Sequence, residues 1–591
     1  MVDPRIYRAA MVPVVFALIL LAFSLENRPR PLTTTLSPDA FEGQRAYGPT
    51  EGLRGLADRY PDRRPGSVGD ERLADDIGGR MRAAGFRVRS EVHDGDTIDG
   101  RQPLRNVIAE RAGTVDERVV VIAHRDAAGR RAAAELSATA ALLELARVFG
   151  APRQTRRSLM LVSTSGGSGG TAGAKQLADQ LQGLPVAAVL VLGDLASSVL
   201  RPPLAPPWSN ALGASPLRLR STVQEAIRRE SGTGAGQPRA LSQLVRHALP
   251  ATYGEQGVLL ERGIPAILLS VSGDRPPAAD APISQANLQT FGRVALRTVT
   301  VLDAAPPGRA LAAETTSRDL LTNRKVLPGW AVRLFIGALL LPPLLAAVDG
   351  FAAIRRRRAP VLAWLRWALV WSLPFIVASL FAVLLALTGL LTAAPGTPVS
   401  PAALPVQIPA LLAVALVFVL AWWLLRPALM RLLHAGGELD EPGAGSMVML
   451  LALATTIVLW IGNPYAAALV VLAMHAGLWA LAPDLRLWRP ARLVAIGLGA
   501  LPMAIAAFAL SRALGLDALD ALWLLLLLVA SGHVSALSIL LWSLLAGCAV
   551  AALVIAARRD PGPEEVPITV RGPASYAGPG SLGGTKSALK R

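Results

Sequence analysis

The sequence predicts two fold classes in one chain: an α/β domain with three layers around a largely parallel central sheet, followed by an all-α polytopic transmembrane domain. Three observations carry this. With 591 residues, of which 52% are hydrophobic, the chain is too long for one domain and too apolar to be wholly exposed to water. Apolar windows near the spanning length of about 17 to 25 residues occur once close to the N-terminus and then repeatedly after Trp330. Between them, a long polar stretch alternates short β-branched runs with amphipathic windows, the pattern of a βα domain.

The first apolar window, Ile6 to Leu25, follows Arg5 and Arg8. No small-x-small cleavage site comes after it, so it reads as a retained anchor ending near residue 26. Further spans are expected at Ala331 to Val348, Val361 to Leu391, Pro405 to Leu425, Met447 to Ile461, Ala466 to Leu481, Leu493 to Leu510 and Val534 to Ala557. The net charge of +17 is distributed along these spans. Arg355 to Arg358, Arg426 and Arg431, Arg486 to Arg492, and Arg558 with Arg559 fall in alternate short loops, while the Pro395 to Pro405 loop carries no charge. That asymmetry places both termini in the cytoplasm and residues 27–325 outside the plasma membrane. The charge therefore reports topology and lipid contact; with no aromatic interleaving or recognition motif, nucleic acid is not an expected partner. Leu519 to Ala530 is apolar but too short to cross alone and reads as interfacial or re-entrant. Residues 558–591 read as a disordered basic tail. The single cysteine, Cys548, lies in a span, so the outer domain has no disulfide and must rest on an ordinary core.

Within residues 27–325, Val119 to Ala123, Leu159 to Thr164, Ala188 to Leu192 and Ala266 to Val271 are expected as buried strands. Helices are expected at Asp70 to Ala84, Ala134 to Phe149, Thr171 to Leu181, Leu217 to Ser231 and Ser284 to Leu302. Ligands of such domains gather at the C-terminal ends of the strands. There the chain reads VVVIAHRD, Val119 to Asp126.

With that segment, and with AALLELARVFG at Ala140 to Gly150 and LLERGIPAILLS at Leu259 to Ser270, the stretch from Gly52 to Leu302 resembles metallopeptidase family 28, the zinc aminopeptidases. The resemblance implies an aminopeptidase-like fold and two zinc ions bridged by a carboxylate and a water, with a glutamate as base. It assigns His124 as the first ligand, Asp126 as the carboxylate that orients it, and Asp194 as a later ligand. The remaining positions depart from the family. The bridging aspartate falls on Ala133 or Ala134, with Glu135 one position off; the paired glutamates fall on Gly167 and Ser168; the final histidine falls on Gln256. Two residual ligands do not hold catalytic zinc, which takes three from the protein. The expectation is a pseudopeptidase with vestigial His124, Asp126 and Asp194 and no cofactor, acting as a binding or scaffolding module for a polypeptide or an envelope component. An anchor, an outer peptidase-like domain and a multi-span bundle are similar in arrangement to the GPI transamidase attachment subunit and the endoplasmic-reticulum membrane metallopeptidase, which implies other membrane proteins as partners.

Three alternatives stand beside it. The domain could be an active zinc exopeptidase rebuilt on Glu135, Glu255 or His247. Gly166, Ser168 and Gly170 satisfy G-x-S-x-G between a strand and a helix, and Ser168, Asp194 and His247 follow the hydrolase chain order, so a serine nucleophile is conceivable, although Gly/Ser-rich loops match this pattern by chance. A transporter is the third; an ionisable His475 inside a span is a functional candidate, but too few intramembrane acids or bases accompany it.

Overall fold

The computed structural model describes residues 4–150, 154–306, 316–356, 360–391, 395–436, 442–482, 485 and 487–558. Of the basic tail expected at 558–591, Arg558 still belongs to the last helix, and residues 559–591, like Arg357, Arg358 and Arg486, lie outside the described residues.

Among the described residues, the domain between the first and second apolar helices is built on a six-stranded sheet: β1 (Arg87–Thr97), β2 (Gly100–Arg111), β3 (Val115–His124), β4 (Arg157–Thr164), β5 (Val186–Leu192) and β6 (Ala266–Leu269), in the order β1-β2-β4-β3-β5-β6. Strands β4, β3, β5 and β6 run parallel. The β1–β2 hairpin adds antiparallel to β4, so the sheet is mixed rather than simply parallel. The sequence analysis missed this hairpin because β1 is charged and mostly exposed, RVRSEVHDGDT, and lacks the continuous apolar run that marks its buried neighbours. Its turn closes at Gly100, whose φ of +86° suits glycine.

Helices cover both faces. One core layer packs Leu145, Leu142 and Phe291 of helices Ser137–Gly150 and Gln285–Ala304 against Val119 and Val121; the other packs Leu177 and Leu181 of helix Ala172–Leu181 against Val120 and Ile122. The alternation of Val119 to Ile122 between the two layers is the period-2 pleat of a strand buried on both sides. Helix Val68–Ala83 starts on a Ser67 N-cap, whose hydroxyl accepts from Asp70 N at 3.2 Å.

Among the described residues, eight helices are long and apolar enough to cross a membrane: Arg5–Phe23, Gly329–Arg356, Val361–Leu387, Ile408–Leu432, Gly443–Gly462, Pro464–Leu481, Arg489–Leu514 and Ala536–Arg558. They lie where the sequence places them. Ala518–Ala530 forms a shorter apolar helix beside Leu373–Leu387. The domain between the first two of the eight begins and ends at one place, because Glu26–Asn27 pairs with Lys325–Leu327 in a small second sheet above the bundle.

His475 sits between two helices and the N-terminal segment: Tyr7 Oη is 2.7 Å from its Nδ1, and its Nε2 is 2.9 Å from Leu339 O. The intramembrane histidine is thereby engaged in packing the first helix onto the bundle.

Candidate functional site

Parallel strands β3, β5 and β6 deliver their C-terminal ends to one side of the sheet, and a cavity of about 70 Å³ opens there. His124 ends β3, Asp194 follows β5, Glu135 lies on the single 3-10 turn Ala134–Leu136, and Glu255 precedes helix Gln256–Glu261. All four line the cavity, with Ser168 and Tyr253. His247 does not. It stacks on Tyr465 of the membrane bundle, ring centroids 4.8 Å apart, and burial pushes its pKa down to about 3. It is neutral at any physiological pH and faces away from Ser168, so the hydrolase order in the sequence corresponds to no assembled triad.

The carboxylate of Asp126 is occupied by the glycine-rich loop. Its Oδ1 accepts from Gly167 N at 2.9 Å, and its Oδ2 accepts from Ser168 N at 3.0 Å and from Ser168 Oγ at 2.5 Å. Ser168 thus donates to a carboxylate that also accepts from two backbone amides, and among the described residues no histidine base is hydrogen-bonded to it. Asp194 is similarly employed. Its Oδ1 accepts from Ala196 N at 3.0 Å and Ser197 N at 2.9 Å, and its Oδ2 accepts from Ser272 Oγ. Two amides and a hydroxyl make it the cap of its own loop.

The loop also closes over the imidazole. A Cβ placed on Gly167 would stand 2.3 Å from Cβ and 2.6 Å from Cγ of His124. No side chain fits between them, so the position that the resemblance assigns to a glutamate is filled by His124 itself. Gly167→Glu is accordingly expected to destabilise the protein by about 1–3 kcal/mol through overpacking, and to leave zinc content unchanged. Thermal unfolding and metal analysis of the purified variant check both.

Sequence reasoning placed the lost bridge at Ala133 or Ala134 and the lost final ligand at Gln256. In the fold each of these turns aside while its C- or N-terminal neighbour faces the cavity. Gln256 is buried and donates to Thr252 Oγ1 at 2.9 Å, whereas Glu255 accepts from Thr164 Oγ1 at 2.6 Å and points its Oε2 inward without a partner. Glu135 likewise has an unpartnered Oε2. Burial raises the Glu135 carboxyl to about 7, against the opposing pull of His124 and then Arg63. Glu255 is raised for the same reason, again moderated first by His124. The signal for both was one residue away from the family pattern. The arrangement sets two buried carboxyls, both shifted upward by burial, beside one imidazole.

Among the described residues no group of three His, Cys, Asp or Glu side chains is already gathered around one point. His124 is covered on one side by Gly167, and the oxygens of Asp194 are directed at loop donors.

The roof of the cavity comes from the membrane domain. Pro398, Val399 and Ser400, in the uncharged loop between the Val361–Leu387 and Ile408–Leu432 spans, line it. Thr397 Oγ1 donates to Gly170 O at 2.7 Å, and a Cβ on Gly170 would lie 2.3 Å from Pro395 Cγ. Trp523 braces the loop by donating Nε1 to Leu404 O at 2.9 Å. The sequence marked this loop as external and uncharged but gave no sign of where it docks.

Residues 106–230 match the profile of Peptidase family M28. No curated protein matches the chain. Among solved structures, glutaminyl cyclase from Porphyromonas gingivalis is similar at 16% identity over 44% of this chain and 98% of its own, with a TM-score of 0.33. A leucine aminopeptidase precursor from Bacteroides thetaiotaomicron is similar at 16% identity over 46% of this chain and 99% of its own, TM-score 0.37. A zinc aminopeptidase from Bacillus subtilis is similar at 13% identity over 44% and 94%, TM-score 0.34.

Proposed function

Starting from an outer domain whose residues 106–230 match peptidase family M28, in a multi-pass membrane protein, we propose that this domain has lost peptidase catalysis and serves as a binding or scaffolding module for a polypeptide or envelope component. The observation that carries the reading is the narrow cavity of about 70 Å³, to whose lining the membrane domain contributes Pro398, Val399 and Ser400. The spent hydrogen-bonding capacity of Asp126 and Asp194, and the contact of Gly167 with His124, support it from the chemical side. The alternating arginine-rich loops support an orientation with the peptidase-like domain outside the plasma membrane.

The second reading is an active zinc exopeptidase with atypical ligands. The unpartnered oxygens of Glu135 and Glu255 beside His124 favour it. Metal analysis separates the two. Full-length protein purified without chelator is expected to hold less than one equivalent of tightly bound zinc and to release no amino acid from aminoacyl-nitroanilides. Stoichiometric zinc with chelator-sensitive turnover, abolished by Glu255→Gln, would establish the exopeptidase instead.

A further inference from the structure

A second and much larger cavity, about 540 Å³, lies on the other side of the seam between the two domains. Its walls come from the peptidase-like domain, including Arg201, Arg246 and Arg275, and from the last turns of the Arg489–Leu514 span, including Phe508 and Arg512. Charge within it is unbalanced. Arg246 is neutralised by Asp274, which also accepts from Thr252 Oγ1, and it lies over the ring of Trp208 at 5.4 Å. The other three arginines make no ion pair with a carboxylate among the described residues. Arg275 instead donates Nε to Ala513 O at 3.1 Å and Nη2 to Arg512 O at 2.5 Å, tying the peptidase-like domain to the end of the span. Arg201, Arg275 and Arg512 thus line one cavity, and Arg275, besides being partly buried, feels both neighbours as like charges, offset in part by Asp274.

Guanidinium groups gathered without a counter-ion around a cavity call for an anion with several acceptor oxygens, and a phosphate suits their planar donor forks. The apolar wall says what carries the phosphate. The Arg489–Leu514 helix is only 11% buried along its most apolar window, so it presents a lipid-facing side, and Phe508 stands 68% exposed one turn below Arg512. A headgroup among the arginines would continue directly into acyl chains beside Phe508. A zwitterionic headgroup would bring its own cation against the three arginines, whereas an anionic one would not.

We propose that this cavity is a binding site for the phosphodiester headgroup of an anionic phospholipid, with Arg201, Arg275 and Arg512 on the phosphate and Phe508 against an acyl chain. Basic pockets beside membrane helices are suited to this chemistry. The site is independent of whether the smaller cavity is catalytic.

The test uses full-length protein in a neutral detergent, with dihexanoyl-phosphatidylglycerol, dihexanoyl-phosphatidylcholine and inorganic phosphate as separate probes and native mass spectrometry or calorimetry as readout. Phosphatidylglycerol is expected to bind at least tenfold more tightly than either of the others. Arg201→Gln combined with Arg512→Gln, both at exposed side chains, should weaken it at least tenfold without shifting the unfolding temperature. Phe508→Ser should weaken phosphatidylglycerol and leave phosphate binding as it was, and this single surface change reads the site even if the double variant folds poorly. Phosphate binding as tight as phosphatidylglycerol, equal affinity for the two lipids, or unaltered phosphatidylglycerol binding in the variants would each overturn the proposal.

Discussion

Arg125→Leu is expected to lower stability by about 3–5 kcal/mol, the range for leaving one partner of a buried ion pair uncompensated. Arg125 and Asp70 are both fully buried, with Nε 2.8 Å from Oδ1. The same guanidinium donates to Arg105 O at 2.7 Å and Ser163 O at 3.2 Å, so one side chain ties β2, β4 and the start of helix Val68–Ala83 to the residue after β3. Asp70 also accepts from Ser165 Oγ at 2.6 Å. Burial raises the Asp70 carboxyl to about 6 even against the arginine. Without Arg125 it would protonate or remain charged in an apolar interior, and either outcome is costly. The double variant Asp70→Leu, Arg125→Leu should be less destabilised than Arg125→Leu alone, because no buried charge is left over. Unfolding temperature in a single detergent measures it, with a drop of roughly 10 °C for the single change. A drop below that of ordinary surface variants would show that the pair contributes nothing.

Glu135→Gln is expected to stabilise the protein at alkaline pH and to have little effect near pH 4. The folded-state carboxyl titrates at about 7, above the unfolded value of roughly 4.3. Between those values the native state binds more protons than the unfolded chain, so stability falls as pH rises through the window and is level above it. The full difference is at most about 4 kcal/mol, and removing the charge recovers it. Unfolding temperature of wild type and variant from pH 4 to pH 9 gives the curve; parallel profiles would mean that Glu135 is no proton store.

Much of the site was legible from single residues. His124 at the end of β3 and the AALLEL helix fixed the register of the pocket wall, because a buried strand and its following helix carry strong periodic patterns. Glu135 and Glu255 were legible only as near misses. Which of two adjacent residues faces a cavity depends on the phase of one 3-10 turn and of one helix start, and local sequence does not set that phase. His247 shows the converse: chain order suggested a base, but helix Ala240–Ala248 packs its histidine on Tyr465 of the bundle, a contact more than two hundred residues away in sequence.

The sequence by itself determined where the long apolar helices lie, the parallel half of the sheet and the likeness of the pocket wall to a peptidase family, since each depends on hydrophobic periodicity or on contiguous motifs. Only the tertiary structure decided that the pocket is roofed by Pro398 to Ser400, that Asp126 is occupied by the glycine loop, and that three arginines from two domains meet at the seam. Those features arise where distant segments dock, and docking is selected by shape and unpaired charge over the whole surface, which no local pattern records.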